Sequence, residues 1–134
     1  MATELFRRTG RAIDAAGGKL IKPIGDAGLF VFPEKNPDRI VDALREMKRD
    51  CDRWLAEMGY PDSMVVRARL GPVARGQVGA PGDERFDIYG LAVNRAASMR
   101  GRKFTLGAEL VSCLKPSTRR DLDEFSDDEF IAAD

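Results

Sequence analysis

The sequence predicts a single α+β domain over residues 1–134. A chain of 134 residues is one domain's worth of polypeptide and can bury a real hydrophobic core. Apolar residues alternate over positions 19–32 and recur every three or four positions after Asn36, which predicts strands followed by a long helix. The sequence contains no internal repeat and no linker-like tract, so we expect its helices and strands to share one core.

The first part of the chain predicts a helix followed by a β-hairpin. Residues 3–16 have the apolar spacing of a helix, which should end at Gly17-Gly18. Strands 19–24 and 27–32 should pair through a turn at Gly25-Asp26, because glycine adopts the positive φ that a tight turn requires. Pro23 has no amide hydrogen to donate, so the first strand should lie at a sheet edge or carry a bulge.

The longest predicted helix covers residues 37–58. Asn36 can cap its start, Pro37 suits its first turn, and Gly59 ends it. The members of its apolar stripe that should pack on the sheet are Leu44, Met47, Cys51 and Leu55. We interpret Cys51, in the middle of this stripe, as a small buried hydrophobe rather than a reactive thiol.

The second half of the chain predicts shorter elements. Residues 64–70 and 73–78 are strand-like and should form a second hairpin through Gly71-Pro72. Residues 85–89 predict either a short strand or an extended arm, and residues 91–99 predict a short, closely packed helix. The tail predicts a strand at 104–106 and helices at 108–114 and 116–125, with a final strand at 130–131 as an open alternative. The order αββαββ(β)αβα is an α+β, ferredoxin-like pattern.

Charge and composition exclude several functional classes. Lys+Arg and Asp+Glu balance at 22 each, so the chain lacks the broad basic field of a nucleic-acid or anionic-membrane binder. The absence of histidine excludes Ser-His-Asp and Cys-His catalysis and His-ligated zinc. Two cysteines are too few for a disulfide framework, and no segment has the pattern of a signal peptide or a membrane span. We therefore expect a cytoplasmic location.

Two segments carry polar residues that packing does not explain. In KPIGD, residues 22–26, a carboxylate at a glycine-bearing hairpin tip is exposed enough to hold a hard cation through oxygen. Taken alone, a Gly-Asp pair is more often an ordinary turn than a metal site. In FDIYGLAVNRAASM, residues 86–99, Asn94 lies inside a predicted helix although asparagine is a mediocre helix former. A helix-surface or capping amide is the alternative for Asn94.

These two segments, in this order and with a long amphipathic helix between them, resemble the class III adenylate/guanylate cyclase catalytic domain. The family has a helix ending in Gly-Gly, a strand with K-x-x-G-D, a long helix, a strand pair and D-x-x-G-x-x-V-N-x-A-x-x-M. This chain has GGKLIKPIGDAGLFVF at 17–32 and FDIYGLAVNRAASM at 86–99, with RGQVG at 75–79 similar to the preceding strand. Because the tail FTLGAELVSCLKPSTRRDLDEF is similar to the family's closing elements, the resemblance covers nearly the whole chain.

The resemblance implies a ferredoxin-like sandwich of the class III nucleotidyl cyclase type, with its active site at the interface of an antiparallel dimer. Asp26 matches a metal-binding aspartate for Mg²⁺ or Mn²⁺. Lys22 and Asp87 match the pair that recognises the purine, with the polarity that selects adenine, and Asn94 matches the residue that orients the ribose. The implied reaction is in-line attack of the ATP 3′-hydroxyl on the α-phosphate, which forms cyclic AMP.

The chain departs from the family pattern at three places. The family's first strand, which supplies another metal aspartate, should precede the helix that starts near Thr3, and the sequence lacks it. The family also has an arginine one helical turn after the asparagine, and this chain has Ser98 there. Arg95 and Arg100 are not three or four residues beyond Asn94, so the helix should aim them elsewhere. The strand pair around RGQVG is also about two residues shorter than usual.

Two hypotheses about function follow from the resemblance. In the first, the chain is an adenylate cyclase that makes cyclic AMP, as a weak homodimer or after pairing with a complete cyclase domain. In the second, it is a degenerate cyclase-homology module for dimerisation or nucleotide sensing without turnover, which Ser98 and the lacking strand favour. A diguanylate-cyclase-like domain is rejected, because its hairpin normally carries two adjacent acids and Asp26 is followed by Ala27. Neither hypothesis includes a nucleic acid or a membrane as partner.

Overall fold

The structure is a computed structural model that describes residues 2–82 and 85–132. Over these residues the chain forms five helices and eight strands. The helices are α1 (Ala2–Ala15), α2 (Pro37–Glu57), α3 (Leu91–Ala97), α4 (Ala108–Val111) and α5 (Pro116–Arg119). The strands are β1 (Lys19–Ile24), β2 (Ala27–Val31), β3 (Val66–Ala68), β4 (Ala74–Val78), β5 (Arg85–Tyr89), β6 (Phe104–Gly107), β7 (Leu122–Ser126) and β8 (Glu129–Ala132).

The first hairpin forms as predicted. β1 pairs antiparallel with β2, and Ile24 lies opposite Ala27 across the two-residue turn. Gly25 in that turn has φ 61°, the left-handed region that glycine adopts at little cost. The register shifts between Leu20 and Lys22, so β1 carries the irregularity that Pro23 led us to expect.

The second predicted hairpin is wrong. β3 pairs in parallel with β6, and β4 pairs antiparallel with β5. The parallel pairing buries Val66 in the same core as Phe104 and Leu106. A local β3–β4 hairpin would not remove this apolar surface from water. The connection between β3 and β4 packs on α3 instead, since a Cβ on Gly71 would lie 2.8 Å from the Cβ of Ala92.

The C-terminal part also differs from the prediction. The helix that begins at Pro116 ends at Arg119, and the residues predicted to continue it to position 125 form β7. β7 pairs with β8, which confirms the final strand and completes a four-stranded sheet of order β3-β6-β8-β7. Pairing along β8 satisfies the β7 backbone, whereas a helix over the same residues would have little apolar surface to bury, because Leu122 alone in β7 is partly buried. α4 is likewise shorter than predicted and ends at Val111.

The core lies between α2 and the sheets. The stripe of α2 is buried through Val41 and the four residues predicted to pack there, Leu44, Met47, Cys51 and Leu55. Asn36 caps the helix as predicted, and its side-chain oxygen accepts from the backbone amide of Arg39 at 3.4 Å. Among the helices of the described residues, none combines the length and the apolar character that crossing a membrane requires.

The two cysteines are expected to differ sharply in reactivity. Cys51 has 0 % exposure, and burial raises the pKa of its thiol, whereas Cys113 is exposed. A thiolate is the reactive form, so Cys113 should react with a chromogenic thiol reagent at once and Cys51 only as the protein unfolds. One thiol should titrate in native buffer and two in denaturant. Fast reaction of both thiols in native buffer would contradict the described core.

A polar contact set joins α2 to α5 and to the residues after it. Arg45 donates to both carboxylate oxygens of Asp121, at 2.6 and 2.9 Å, and to the carbonyl of Thr118 at 3.0 Å. Near the start of α2, Asp38 accepts from the backbone amide of Lys115 at 2.9 Å. Hydrogen bonds from Arg45 lower the pKa of Asp121, and those from Thr118 and Lys115 lower the pKa of Asp38.

These lowered pKa values predict a loss of stability in acid. A carboxyl group whose pKa is lower in the folded state stabilises the fold above its unfolded pKa, about 4 for aspartate. That contribution disappears as the pH falls through the folded-state pKa. We expect the melting temperature to be nearly constant between about pH 7 and 5 and to fall below about pH 4. Asp121→Asn should lower the melting temperature at neutral pH and flatten the acid decline, as differential scanning calorimetry would show.

Candidate functional site

The clearest polar contact between distant parts of the chain is the pair Lys22 and Asp87. The Nζ of Lys22 lies 2.8 Å from Oδ2 of Asp87, across 65 residues of sequence. The other carboxylate oxygen, Oδ1, accepts from the backbone amide of Ile88 at 2.8 Å. The Lys22 side chain is 40 % exposed and that of Asp87 is 17 % exposed, so solvent or a ligand can reach the ammonium end of the pair.

Two hairpins place this pair. Lys22 follows the irregularity of β1, and Asp87 lies in the middle of β5, opposite Gly76 of β4. β1 and β5 are in contact although they belong to different sheets. A Cβ on Gly76, which lies opposite Asp87, would be 3.8 Å from the hydroxyl of Tyr89.

α3 begins directly after β5 and carries Asn94. Gly90, between the two elements, has φ 134°, a conformation that disfavours other residues. Asn94 and Ser98 are both exposed. The Ser98 hydroxyl donates to the backbone carbonyl of Asn94 at 2.9 Å, so the two residues lie one turn apart along the same side of the helix.

Asp26 is exposed at the tip of the β1–β2 hairpin, four positions beyond Lys22. Within residues 2–82 and 85–132, no group of three or more aspartate, glutamate or cysteine side chains converges as a metal centre would require. Mg²⁺ needs near-octahedral oxygen coordination, so Asp26 alone does not fit a complete metal site. Any ion held there would need most of its oxygen ligands from outside the described residues.

Sequence analysis missed a charged cluster beside α3. Glu109 accepts from Nη2 of Arg69 at 2.9 and 3.1 Å, and Asp128 also contacts that nitrogen. Arg95 of α3 lies 3.5 Å from Glu109. Burial by itself would raise the pKa of Glu109, but the hydrogen bonds and the charge of Arg69, together with a backbone hydrogen bond, hold that pKa below its ordinary value. These residues are too far apart in sequence for any local spacing to indicate them.

A second missed residue is Glu129, a buried carboxylate of β8. It accepts from the backbone amides of Arg100 and Gly101, which follow α3. In the sequence, Glu129 belongs to the acidic run SDDEF, where a buried glutamate is not distinguishable from its exposed neighbours.

Comparison with known proteins gives one sequence relative and several structural ones. The chain matches no family model. It is 31 % identical over 110 residues to a protein named adenylate cyclase from Anabaena cylindrica. The alignment covers 76 % of this chain and 22 % of the relative. The chain therefore spans about a fifth of the curated relative's length.

Solved cyclase structures share the fold. A bacterial light-regulated adenylyl cyclase superposes with a TM-score of 0.78 at 16 % identity, covering 98 % of this chain and 43 % of that one. The adenylyl cyclase CyaB from P. aeruginosa gives a TM-score of 0.69 at 15 % identity, covering 99 % of this chain and 80 % of that one. The guanylyl cyclase Cya2 gives 0.63 at 16 % identity, covering 83 % and 65 %.

At these identities the structural likeness concerns the fold. The sequence match adds a relative named as a cyclase, and the two cyclase-like segments lie on the β1–β2 hairpin and on the β5–α3 unit. The mixed α+β architecture agrees with the predicted fold class. The match to a protein named adenylate cyclase and the fold shared with solved class III adenylyl and guanylyl cyclases together support a cyclase homology domain.

Proposed function

We propose that this domain binds an adenine nucleotide through Lys22 and Asp87. The observation that carries the proposal is the 2.8 Å contact that sets an ammonium donor beside a carboxylate acceptor. Adenine presents a ring-nitrogen acceptor next to an exocyclic amine donor, which is the complementary order. At the same two positions guanine presents a ring N–H donor to the lysine and a carbonyl acceptor to the carboxylate, so both contacts would have the wrong polarity.

Asn94 is proposed to orient the ribose of this nucleotide. It is exposed on α3, the helix that follows the strand carrying Asp87, and its amide can both donate and accept. A ribose hydroxyl also both donates and accepts, so the amide of Asn94 can pair with it in either role. A nucleotide held at its base by Lys22 and Asp87 would then extend its sugar and phosphates along α3.

Divalent metal is proposed to bind weakly and mainly together with the nucleotide. Asp26 supplies one carboxylate, so water and substrate phosphates would supply most of the remaining shell of Mg²⁺ or Mn²⁺. We expect Mn²⁺ alone to bind with an affinity too low for calorimetry and to bind measurably once an ATP analogue is present. Asp26→Ala should remove the metal-dependent gain in nucleotide affinity, and the exposed Asp123→Ala, on β7, should not. Strong Mn²⁺ binding without nucleotide would contradict a single-carboxylate site.

The proposed reaction is the family's cyclisation of ATP. The 3′-oxygen forms a bond to the α-phosphorus, and the bond from that phosphorus to the pyrophosphate oxygen breaks. The 3′-hydroxyl proton passes to solvent, so the products are cyclic AMP, pyrophosphate and a proton. Lys22 and Asp87 hold the base and Asn94 holds the sugar, which are contacts made already in the ground state. Ser98 carries no positive charge that could stabilise the negative charge on the phosphoryl oxygens in the transition state. The chain alone should therefore bind ATP better than it turns ATP over.

The site is proposed to be completed by a second cyclase domain. Ile24, Tyr89 and Leu91 are large apolar residues that are 52 %, 50 % and 63 % exposed, and they lie near the hairpin tip and the β5–α3 junction. Exposed apolar residues around a polar site are typical of a protein interface. β3 and β7 also end the four-stranded sheet in the described part of the chain, and open strand edges favour pairing with another chain.

Association should therefore be measurable by light scattering. We expect a dimer at high micromolar concentration, and Leu91→Glu should shift the population toward monomer because it buries a charge in the proposed interface. Met58→Glu is the matched control, since Met58 is 58 % exposed at the C-terminal end of α2, which belongs neither to a sheet edge nor to the β5–α3 junction. A monomer for the unmodified chain at high concentration would refute the dimer.

A nucleotide-sensing module without turnover is the second candidate function. Two observations favour it: Ser98 stands where charge stabilisation would be needed, and the described residues contain no metal cluster. Both functions require nucleotide binding, so calorimetry with a non-hydrolysable ATP analogue and Mn²⁺ is the first test. We expect binding of the ATP analogue and clearly weaker binding of the GTP analogue. Equal affinity for both, or no binding of either, would refute the proposed site.

A further inference from the structure

The loop that follows α3 is bound to the four-stranded sheet by a buried carboxylate. Glu129 of β8 accepts from the backbone amide of Gly101 at 2.8 Å and from that of Arg100 at 3.1 Å. The residue is only 7 % exposed. Because removing a carboxylate from water is costly, the two amides must compensate a substantial part of that cost. The contact is therefore worth more than an ordinary surface hydrogen bond.

Two further strands hold the same loop. Arg67 of β3 donates from Nε to the carbonyl of Gly101 at 2.8 Å, and the hydroxyl of Thr105 of β6 donates to the carbonyl of Arg102 at 2.9 Å. A Cβ on Gly101 would lie 2.2 Å from Oγ1 of Thr105, so only glycine permits this close approach. Residues 100–102 are thus fixed from β3, β6 and β8.

α3 has little apolar packing of its own. None of its seven residues, all of which lie in the described part of the chain, is buried. A helix this short is not stable by itself, and tertiary packing normally holds such helices in place. Besides the packing at Ala92 and the contact of Arg95 with Glu109, the two ends of α3 determine its placement. One end follows β5, and the other leads through the buried Met99 into the loop that Glu129 holds.

We propose that Glu129 is a positioning residue for the nucleotide site. By holding the amides of residues 100 and 101, its carboxylate sets the orientation of α3 and, through it, of Asn94. The inference rests on the proposed function, in which Asn94 contacts the ribose. Glu129 acts through the backbone of the loop and makes no contact with the nucleotide itself.

The test is Glu129→Gln, which keeps the size of the side chain and one acceptor oxygen but turns an amide donor toward a backbone donor. Without nucleotide, the backbone amide resonances of Asn94 and Ser98 should move in ¹⁵N–¹H spectra. With a non-hydrolysable ATP analogue, affinity should fall about tenfold, as for outer residues that orient a ligand-binding group. Arg67→Met, which removes an exposed side chain's bond to the same loop, should shift the same resonances less. It serves as the test if Glu129→Gln does not fold.

Asp121→Asn is the matched control. It also removes a carboxylate that holds a local segment, but that segment is α5 and its partner is Arg45 of α2. It should lower the melting temperature without moving the α3 resonances or the analogue affinity. The inference is wrong if folded Glu129→Gln leaves the Asn94 and Ser98 resonances in place, or moves them without changing affinity. If the unmodified chain binds no ATP analogue, the proposed function is wrong. The spectra without nucleotide still test the inference in that case, because unchanged Asn94 and Ser98 resonances in Glu129→Gln would refute the positioning of α3.

Discussion

Asp87→Ala is expected to weaken binding of a non-hydrolysable ATP analogue by about 10- to 100-fold. The substitution removes the carboxylate acceptor of the proposed base contact, and a hydrogen bond involving a charged group contributes about 1.5–3 kcal/mol. It also leaves the Lys22 ammonium without the partner that lies 2.8 Å away. Because this ammonium is 40 % exposed, solvent can take over part of that role, which limits the damage to the fold.

The selectivity of the site gives the sharper readout. Asp87 is proposed to recognise the exocyclic amine of adenine, so its loss should reduce affinity for the ATP analogue more than for the GTP analogue. Asp123→Ala is the control, because Asp123 is an exposed carboxylate on the edge strand β7. Calorimetry at constant Mn²⁺ would measure how much each substitution reduces the affinity for the ATP analogue and for the GTP analogue. Equal losses for the two analogues would mean that Asp87 supports the fold of the region and does not read the base.

Ser98→Arg is expected to raise cyclase turnover about 100- to 1000-fold when this chain is paired with a complete class III domain. A cation placed where charge develops in a transition state has effects of this size. Ser98 lies one turn beyond Asn94 along α3, and its hydroxyl already bonds the Asn94 carbonyl at 2.9 Å. An arginine at that position would project from the same side of the helix as the proposed ribose contact.

The pairing separates the effect of Ser98 from that of the metal site, because the complete domain brings its own metal-binding aspartates. A complete domain in which its own ribose-orienting asparagine is replaced would be silent as a homodimer, so cyclic AMP would report the mixed dimer. Ala97→Arg is the matched control, because Ala97 is exposed on the same helix but faces a different direction. The unmodified chain alone should give little or no cyclic AMP from ATP and Mn²⁺. If it instead turns over at an ordinary enzymatic rate, the sensing-module hypothesis is wrong.

Signals contained within a few residues of sequence determined the first hairpin and the helices α1, α2 and α3. Gly25 allows the tight turn between β1 and β2, and the Asn36-Pro37 pair starts α2, so both boundaries depend on local backbone preferences. The buried stripe of α2 follows from its spacing alone, because a helix with apolar residues at every third or fourth position has one face to bury. The segments KPIGD at 22–26 and FDIYGLAVNRAASM at 86–99 also indicated the candidate site residues.

Only the tertiary structure decided which distant segments meet. Two strands separated by a Gly-Pro pair are compatible with a hairpin, but burying Val66 beside Leu106 required β3 to pair with β6. Likewise, residues 122–126 became a strand because β8 offered backbone partners. Pairing energies of this kind depend on apolar area buried between remote elements, which no local spacing contains.

The surroundings of the site were decided in the same way. The sequence indicated Lys22 and Asp87 as candidates, and the contact of β1 with β5 brings their charged atoms to 2.8 Å. Glu129 could not be singled out among the acids of the tail, since its burial results from its place on β8 between β6 and β7. A carboxylate is identified as a ligand for backbone amides only when folding removes it from water and brings those amides to it.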